Sequence, residues 1–435
     1  MEARAERRVA AEIEEADFTI FEGEVPAPGP KLGPRGAEAA GPYMRNRLRD
    51  RVDFWRNLGA SEMVLDWVRN GFMAWFNNDV PCRSKANQDS CYEPEAHSAF
   101  ISASMEALIA RGVVGVWDPA WGDPRVISPL KVVPKKGGKL RLILDLSWLN
   151  KNLNFPKFKY DNVGKIPELF ESGDYMFAWD AKDGYWHVDL HPDMWQYMCF
   201  EWEGRILYFG QMPFGLAPAC WVFTRMMRVA VDHMRLQGLK VLAYIDDGLA
   251  GAQPKSEASR LRQMTVDTLL GCGWLINWPK SDLNLSQRDK EFIGYLISTE
   301  GQGSLSPSTA RCSKLISAVS AALEARTISP RRVAQAVGHI VSLRPCMDPM
   351  ALMFTRHLNI WIQRAVDDRG WDWRIELGEE ARRELRTWKG WFAKWKTRTL
   401  WPRGTPELLM AQDASDTAVG GWLGVFNGES IIRKF

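Results

Sequence analysis

Two adjacent carboxylates, Asp246 and Asp247, close the apolar run Lys240-Val-Leu-Ala-Tyr-Ile245 and are followed at once by Gly248. An apolar strand that ends in two acids and a glycine reads as a β-hairpin with charge at its tip. Acids placed there repel one another unless a cation lies between them. Hard oxygen ligands from one or two carboxylates, completed by water and substrate phosphates, are the usual way to hold Mg²⁺ in a nucleotidyl-transfer site. An Asp-Asp pair alone is also what an ordinary solvated hairpin turn looks like, so the pair calls for a third acid elsewhere.

Asp180 is that acid. It ends the run Met176-Phe-Ala-Trp179, and Gly184-Tyr185 follow as a turn signal. Between the two acidic segments lies Gly210-Gln-Met-Pro-Phe-Gly-Leu216, a Pro/Gly turn that opens into a helical period through Val222, Met226, Ala230 and Met234 and stops near Gly238. A glycine-rich turn at a helix start allows a base pair or phosphate to approach the backbone closely. From Lys131 to Lys165 there are nine Lys/Arg and two acids, with Trp148, Phe155, Phe158 and Tyr160 interleaved, a composition suited to phosphates and stacked bases.

In their order, Asp180 with Gly184-Tyr185, Gln211-Met-Pro-Phe-Gly-Leu216, Tyr244-Ile-Asp-Asp247 and Phe292-Ile-Gly-Tyr-Leu296 resemble the palm motifs of retroelement reverse transcriptases. Ser128-Pro-Leu-Lys-Val-Val-Pro-Lys-Lys-Gly-Gly-Lys-Leu-Arg141, running on to Asn150, resembles their fingers hairpin. The Leu-Ala-Pro-Ala-Cys-Trp-Val-Phe-Thr stretch after Gly215 is most similar to DIRS-like elements, with gypsy-like enzymes as near neighbours. The resemblance covers roughly residues 96 to 435. It implies an α+β right-hand polymerase: fingers and an antiparallel palm over 96–300, a helical thumb over 301–360 and a helical connection over 361–404. A truncated ribonuclease H-like α/β start would follow over 405–435. Residues 1–95 are expected to be an N-terminal extension with a Pro/Gly-rich linker.

The same resemblance implies RNA-directed DNA polymerisation, with RNA or DNA template, DNA or RNA primer and dNTPs as partners. Asp180, Asp246 and the Ala181 carbonyl would hold Mg²⁺, or Mn²⁺ in its place, with Asp247 as the supporting acid. Arg141 with one of Lys135, Lys136 or Lys139 would grip the triphosphate. Gln211 and Gly215 would hold the nascent base pair, and Tyr185 would lie under the sugar and exclude a 2′-hydroxyl. Phe292, Ile293, Gly294 and Tyr295 would hold the primer end. Asp413, at the end of a strand, would be the one ribonuclease H acid before the sequence stops, so hybrid cleavage is not expected. Ala181 departs from the leucine common after the first acid, and Ser147-Trp148 stands where many relatives have arginine.

Competing readings are another polymerase class, such as an RNA-copying RNA polymerase, and a decayed element product that only binds nucleic acid. Tyr185 and Gln211-Met-Pro-Phe-Gly215 speak against the first, and the intact acids against the second. Asp183, Asp189 and Asp193 read as solvated surface, and His187 and His191 as strand or turn residues. Seven scattered cysteines fit no disulfide framework, and Cys82, Cys91 and His97 lack the spacing and fourth ligand of a zinc site. No signal-peptide core or membrane-length apolar run is present, so cytoplasm or nucleus is the expected compartment, without a membrane partner.

Overall fold

The computed structural model describes residues 41–77, 82–134, 139–347, 350–392 and 397–401, together with the backbone of the strands Thr19–Gly23, Leu408–Ala414, Val419–Phe426 and Ser430–Lys434. At its centre is a three-stranded antiparallel sheet in which Asp247–Ala252 lies between Lys240–Tyr244 and Tyr175–Asp180. This sheet is buried on both sides, so its strands are nearly continuous apolar runs. Phe177, Trp179, Val241 and Ala250 face one core with the helices Ala219–Leu236 and Lys255–Cys272. Met176, Ala178, Leu242 and Leu249 face a second core shared with the C-terminal helices.

The Leu130–Pro134 and Leu140–Leu144 strands form a hairpin, and Thr19–Gly23 pairs along its outer edge. Beside it a five-stranded sheet joins Arg83–Ser84, Val126–Ile127, Cys199–Trp202, Arg205–Phe209 and Val114–Val116. Met44, Leu48, Trp55, Leu65, Trp67 and Phe72 belong to the same core as the palm. The boundary expected at residue 95 therefore cuts through one packed body. Its glue is aromatic: Trp55 packs edge-on against Trp274 and donates to the Cys272 carbonyl at 2.9 Å.

Local rules account for most helix ends, with some shifts. The helix Glu95–Ala110 stops before Gly112, which adopts φ +71°. The helix Lys255–Cys272 ends at Gly273, the left-handed cap at φ +96°. Its inward face is Ala258, Leu261, Thr265, Leu269 and Cys272, with Met264 and Val266 partly buried beside it. Ser308 accepts the Arg311 N–H and starts the helix Thr309–Glu324. Ser329-Pro330 opens the helix Pro330–Val341, with the proline in its first turn.

Thr309–Glu324, Pro330–Val341, Arg356–Arg369 and Glu379–Phe392 share one core that also holds Phe292, Tyr295 and Ile297. A thumb ending at residue 360 would split the third of these helices. Trp388 is buried there and donates to the Phe354 carbonyl at 2.7 Å, so it serves the packing of this core. The last three strands pair antiparallel in chain order, with Asp413 opposite Gly420.

Candidate active site

Asp180, the last residue of its strand, is the direct cross-strand partner of Asp247. Tyr244 and Asp247 close a two-residue hairpin turn of Ile245 and Asp246, with Ile245 at φ +53°. Positive φ in a β-branched residue is strained and persists only where neighbours hold it. Here the Asp246 carbonyl accepts the Ala181 N–H at 2.8 Å, tying the tip to the residue after Asp180. The N–H and C=O of one extended residue point to the same strand edge, so the Ala181 carbonyl also faces the hairpin tip. On the other edge the Asp180 carbonyl accepts the Asn277 N–H, and the Asp180 N–H donates to Ser281 Oγ at 3.0 Å.

The three acids are electrostatically coupled. Burial, followed by the charges of Asp246 and Asp180 and a hydrogen bond with Asp180, pushes the Asp247 carboxyl up to about 7. Lys280, exposed on the loop after Asn277, works against this shift. Among the described residues no three His, Cys, Asp or Glu side chains have already converged into a metal cage. Mutual repulsion among Asp180, Asp246 and Asp247 is the form of donor set that a divalent cation would relieve, and the Ala181 carbonyl adds an oxygen at the same edge.

Around this centre the residues expected to touch substrate separate into two groups. Lys139 and Arg141 lie on the 130–144 hairpin, Lys139 exposed and Arg141 half-buried, whereas Lys135 lies outside the described residues. Tyr185 is buried against Phe214 and Phe223, with its hydroxyl 2.8 Å from Cys220 Sγ, and the half-buried Phe214 covers it. Gly215, at φ +88°, presents its carbonyl to Asn150.

Gln211 is fully buried, and its amide donates to the Trp186 carbonyl at 3.2 Å, so the side chain braces the core under the Pro-Phe-Gly turn. Phe292 and Tyr295 are also turned inward, into the thumb core, because they form the last cross-strand pair before a tight turn. What the turn presents is the backbone of Ile293 (φ +40°) and Gly294 (φ +77°). Arg311 binds both turn carbonyls, at 2.9 and 3.1 Å, and stacks on the Tyr295 ring.

Two of the acids read as solvated surface are not on the surface. Asp183 pairs with Arg111, whose side chain is 8% exposed, and Asp189 is buried and accepts the Asn46 N–H at 3.0 Å. Asp193 is exposed. His187 is fully buried, and burial drives its pKa down to about 4. The neutral ring donates from Nδ1 to the Gly184 carbonyl and accepts the Leu275 N–H at Nε2, both at 2.9 Å, linking the Tyr185 turn to the segment behind Asp180.

Asn150 is a positioning residue that no short motif reveals. Its Nδ2 donates to the Gly215 carbonyl at 2.8 Å and its Oδ1 accepts the Ala217 N–H at 2.9 Å, clamping the Pro-Phe-Gly turn. Lys280 and Ser281 follow the segment anchored by the buried Trp274, and their relation to the acids is set by how that segment packs.

A model of the family described as reverse transcriptase (RNA-dependent DNA polymerase) matches residues 133–297. The Pro-Pol polyprotein of Simian foamy virus type 1 is 27% identical over 176 residues, 40% of this chain and 15% of that protein. The retrovirus-related Pol polyprotein from transposon 412 of Drosophila melanogaster is 29% identical over 160 residues, 35% of this chain and 12% of that protein. The chain thus spans about 15% of the length of the first of these relatives. A foamy viral protease-reverse transcriptase solved with an RNA/DNA hybrid superposes with a TM-score of 0.61 at 16% identity, covering 88% of this chain and 52% of that one. A second foamy viral structure, solved with double-stranded DNA, gives 0.59 at 18% identity, covering 87% of this chain and 66% of that one. The chain contains a reverse-transcriptase-like domain related to those of retroviral and retrotransposon polyproteins, on a matching α+β fold.

Proposed function

We propose that this domain is the RNA-directed DNA polymerase of a DIRS-like or gypsy-like retrotransposon, extending a primer with dNTPs along an RNA or DNA template in cytoplasm or nucleus. The observation that carries the reading is the register of Asp180 opposite Asp247 with Asp246 on the adjoining tip. Asp180, Asp246 and the Ala181 carbonyl would hold Mg²⁺, or Mn²⁺ in its place. When bound, such ions lower the pKa of the primer 3′-hydroxyl and neutralise the triphosphate. Asp247, whose proton is readily lost near neutral pH, balances the site's charge as the cation arrives. Lys139 and Arg141 orient the triphosphate, and the clamped Phe214-Gly215 turn over Tyr185 shapes the sugar pocket.

A catalytically silent nucleic-acid-binding product is the second reading, favoured by the lack of a preformed cage among the described residues. Primer extension on RNA and DNA templates with Mg²⁺ decides between them. Asp246→Asn should abolish dNTP incorporation while primer-template affinity stays within a few-fold, because affinity is spread over many phosphate contacts. Binding without extension by the unsubstituted chain would establish the silent reading. Extension by Asp246→Asn at the unsubstituted rate would refute the metal assignment.

A further inference from the structure

Arginine occupies every second position from Arg45 to Arg51. Arg45, Arg47 and Arg51 line a cavity of about 210 Å³ together with Tyr43, Asp50 and the helix end at Leu270 and Gly273. Two of the guanidinium groups are held in place. Arg47 Nε donates to the Gly273 carbonyl at 2.7 Å. Arg45 lies over the rings of Trp195 and Tyr208, at 5.2 and 5.9 Å, and donates to the Tyr208 hydroxyl at 3.3 Å.

Among the described residues no carboxylate forms an ion pair with any of the three. Arg47 is partly desolvated and also feels Arg51, both of which disfavour its charge. Three arginines line one cavity whose lining holds a single acid, and only Arg45 also feels the buried Asp189 carboxylate, so the cluster keeps an excess of positive charge that an anion would offset. A tetrahedral, multiply charged oxyanion can accept from all three forks at once, whereas one carboxylate offers only two oxygens.

We propose that this cavity binds a phosphate-bearing anion, either free polyphosphate or the phosphodiester backbone of a nucleic-acid strand. The site is built from the 43–51 segment and the 270–273 helix end, and it shares no residue with the acidic centre. It therefore stands whether or not the domain polymerises.

The test is titration of the full chain at low ionic strength with tripolyphosphate and, separately, with a single-stranded oligonucleotide lacking terminal phosphates. Arg51→Gln and Asp50→Asn are used because both side chains are exposed and brace nothing, and exposed Arg383→Gln is the charge-matched control. Arg51→Gln takes one charged hydrogen-bond donor from the rim and should weaken tripolyphosphate binding about tenfold. Asp50→Asn should tighten it, and Arg383→Gln should leave it unchanged. Parallel weakening of oligonucleotide binding identifies a strand backbone as the source, and weakening confined to tripolyphosphate identifies the free anion. Absence of tripolyphosphate binding, or equal affinity in Arg51→Gln and the unsubstituted chain, overturns the proposal.

Discussion

Asp180 and Asp247 stand directly opposite each other on neighbouring antiparallel strands, and the carboxyl of Asp247 is pushed up to about 7 by burial and by the charges of Asp246 and Asp180. An unfolded aspartate titrates near ~3.9. Asp247 thus contributes stability that is fully present below about pH 4 and is lost as pH rises through about 7. In chelator, urea unfolding of the unsubstituted chain should show this loss between those limits. Asp247→Asn should remove it and exceed the unsubstituted protein in stability at pH 8. Parallel stability curves for the two proteins would show that the acids are not coupled.

His187 has the opposite sign. Its pKa is lowered by burial to about 4, against ~6.5 unfolded. The stability contributed by its neutral form is therefore present above about pH 6.5 and lost as pH falls through about 4. His187→Phe keeps a ring against Trp274 but leaves the Leu275 N–H and the Gly184 carbonyl unmet. A cost of about 1–3 kcal/mol near neutral pH is expected, with a flatter acid limb in urea midpoints. A variant as stable as its parent at pH 7 would rule out the strut.

Two glycine substitutions should move stability in opposite directions. A Cβ on Gly248 would overlap the Trp179 indole, so Gly248→Ala should cost about 1–3 kcal/mol and displace Asp247 from its register. Gly390, inside the Glu379–Phe392 helix, has nothing within 4 Å of an added Cβ. Gly390→Ala should stabilise by about 0.5–1 kcal/mol. Thermal unfolding of both variants checks the pair, and a neutral Gly248→Ala would contradict the close packing under the acids.

Asn150→Ala should release the Pro-Phe-Gly turn by removing both of its hydrogen bonds. Under the polymerase reading, steady-state primer extension should show KM for dNTP rising several-fold with a smaller change in kcat. Asn150→Asp, which keeps the acceptor for the Ala217 N–H, should recover part of the loss. A fall in kcat alone, with KM unchanged, would place Asn150 outside nucleotide positioning.

Asp180, Asp246-Asp247, the Gly215 turn and the Phe292–Tyr295 hairpin were legible in the amino-acid order, because strand periods and turn residues are properties of a few consecutive positions. The Ser329-Pro330 helix start and the Gly112 helix stop are local signals of the same kind. Tertiary structure alone decided which acids meet, since the pairing of Asp180 with Asp247 joins strands separated by a helix and another hairpin. It also decided that Gln211, Asp189 and His187 are interior and that Asp183 is half-buried in an ion pair with Arg111. A polar side chain is written identically whether it meets water or a partner such as Trp186, Arg111, Asn46 or Leu275. Trp55 and Trp67 became core for a related reason: their apolar faces are completed by Trp274 and Trp221, which lie far away along the chain and close only in the fold.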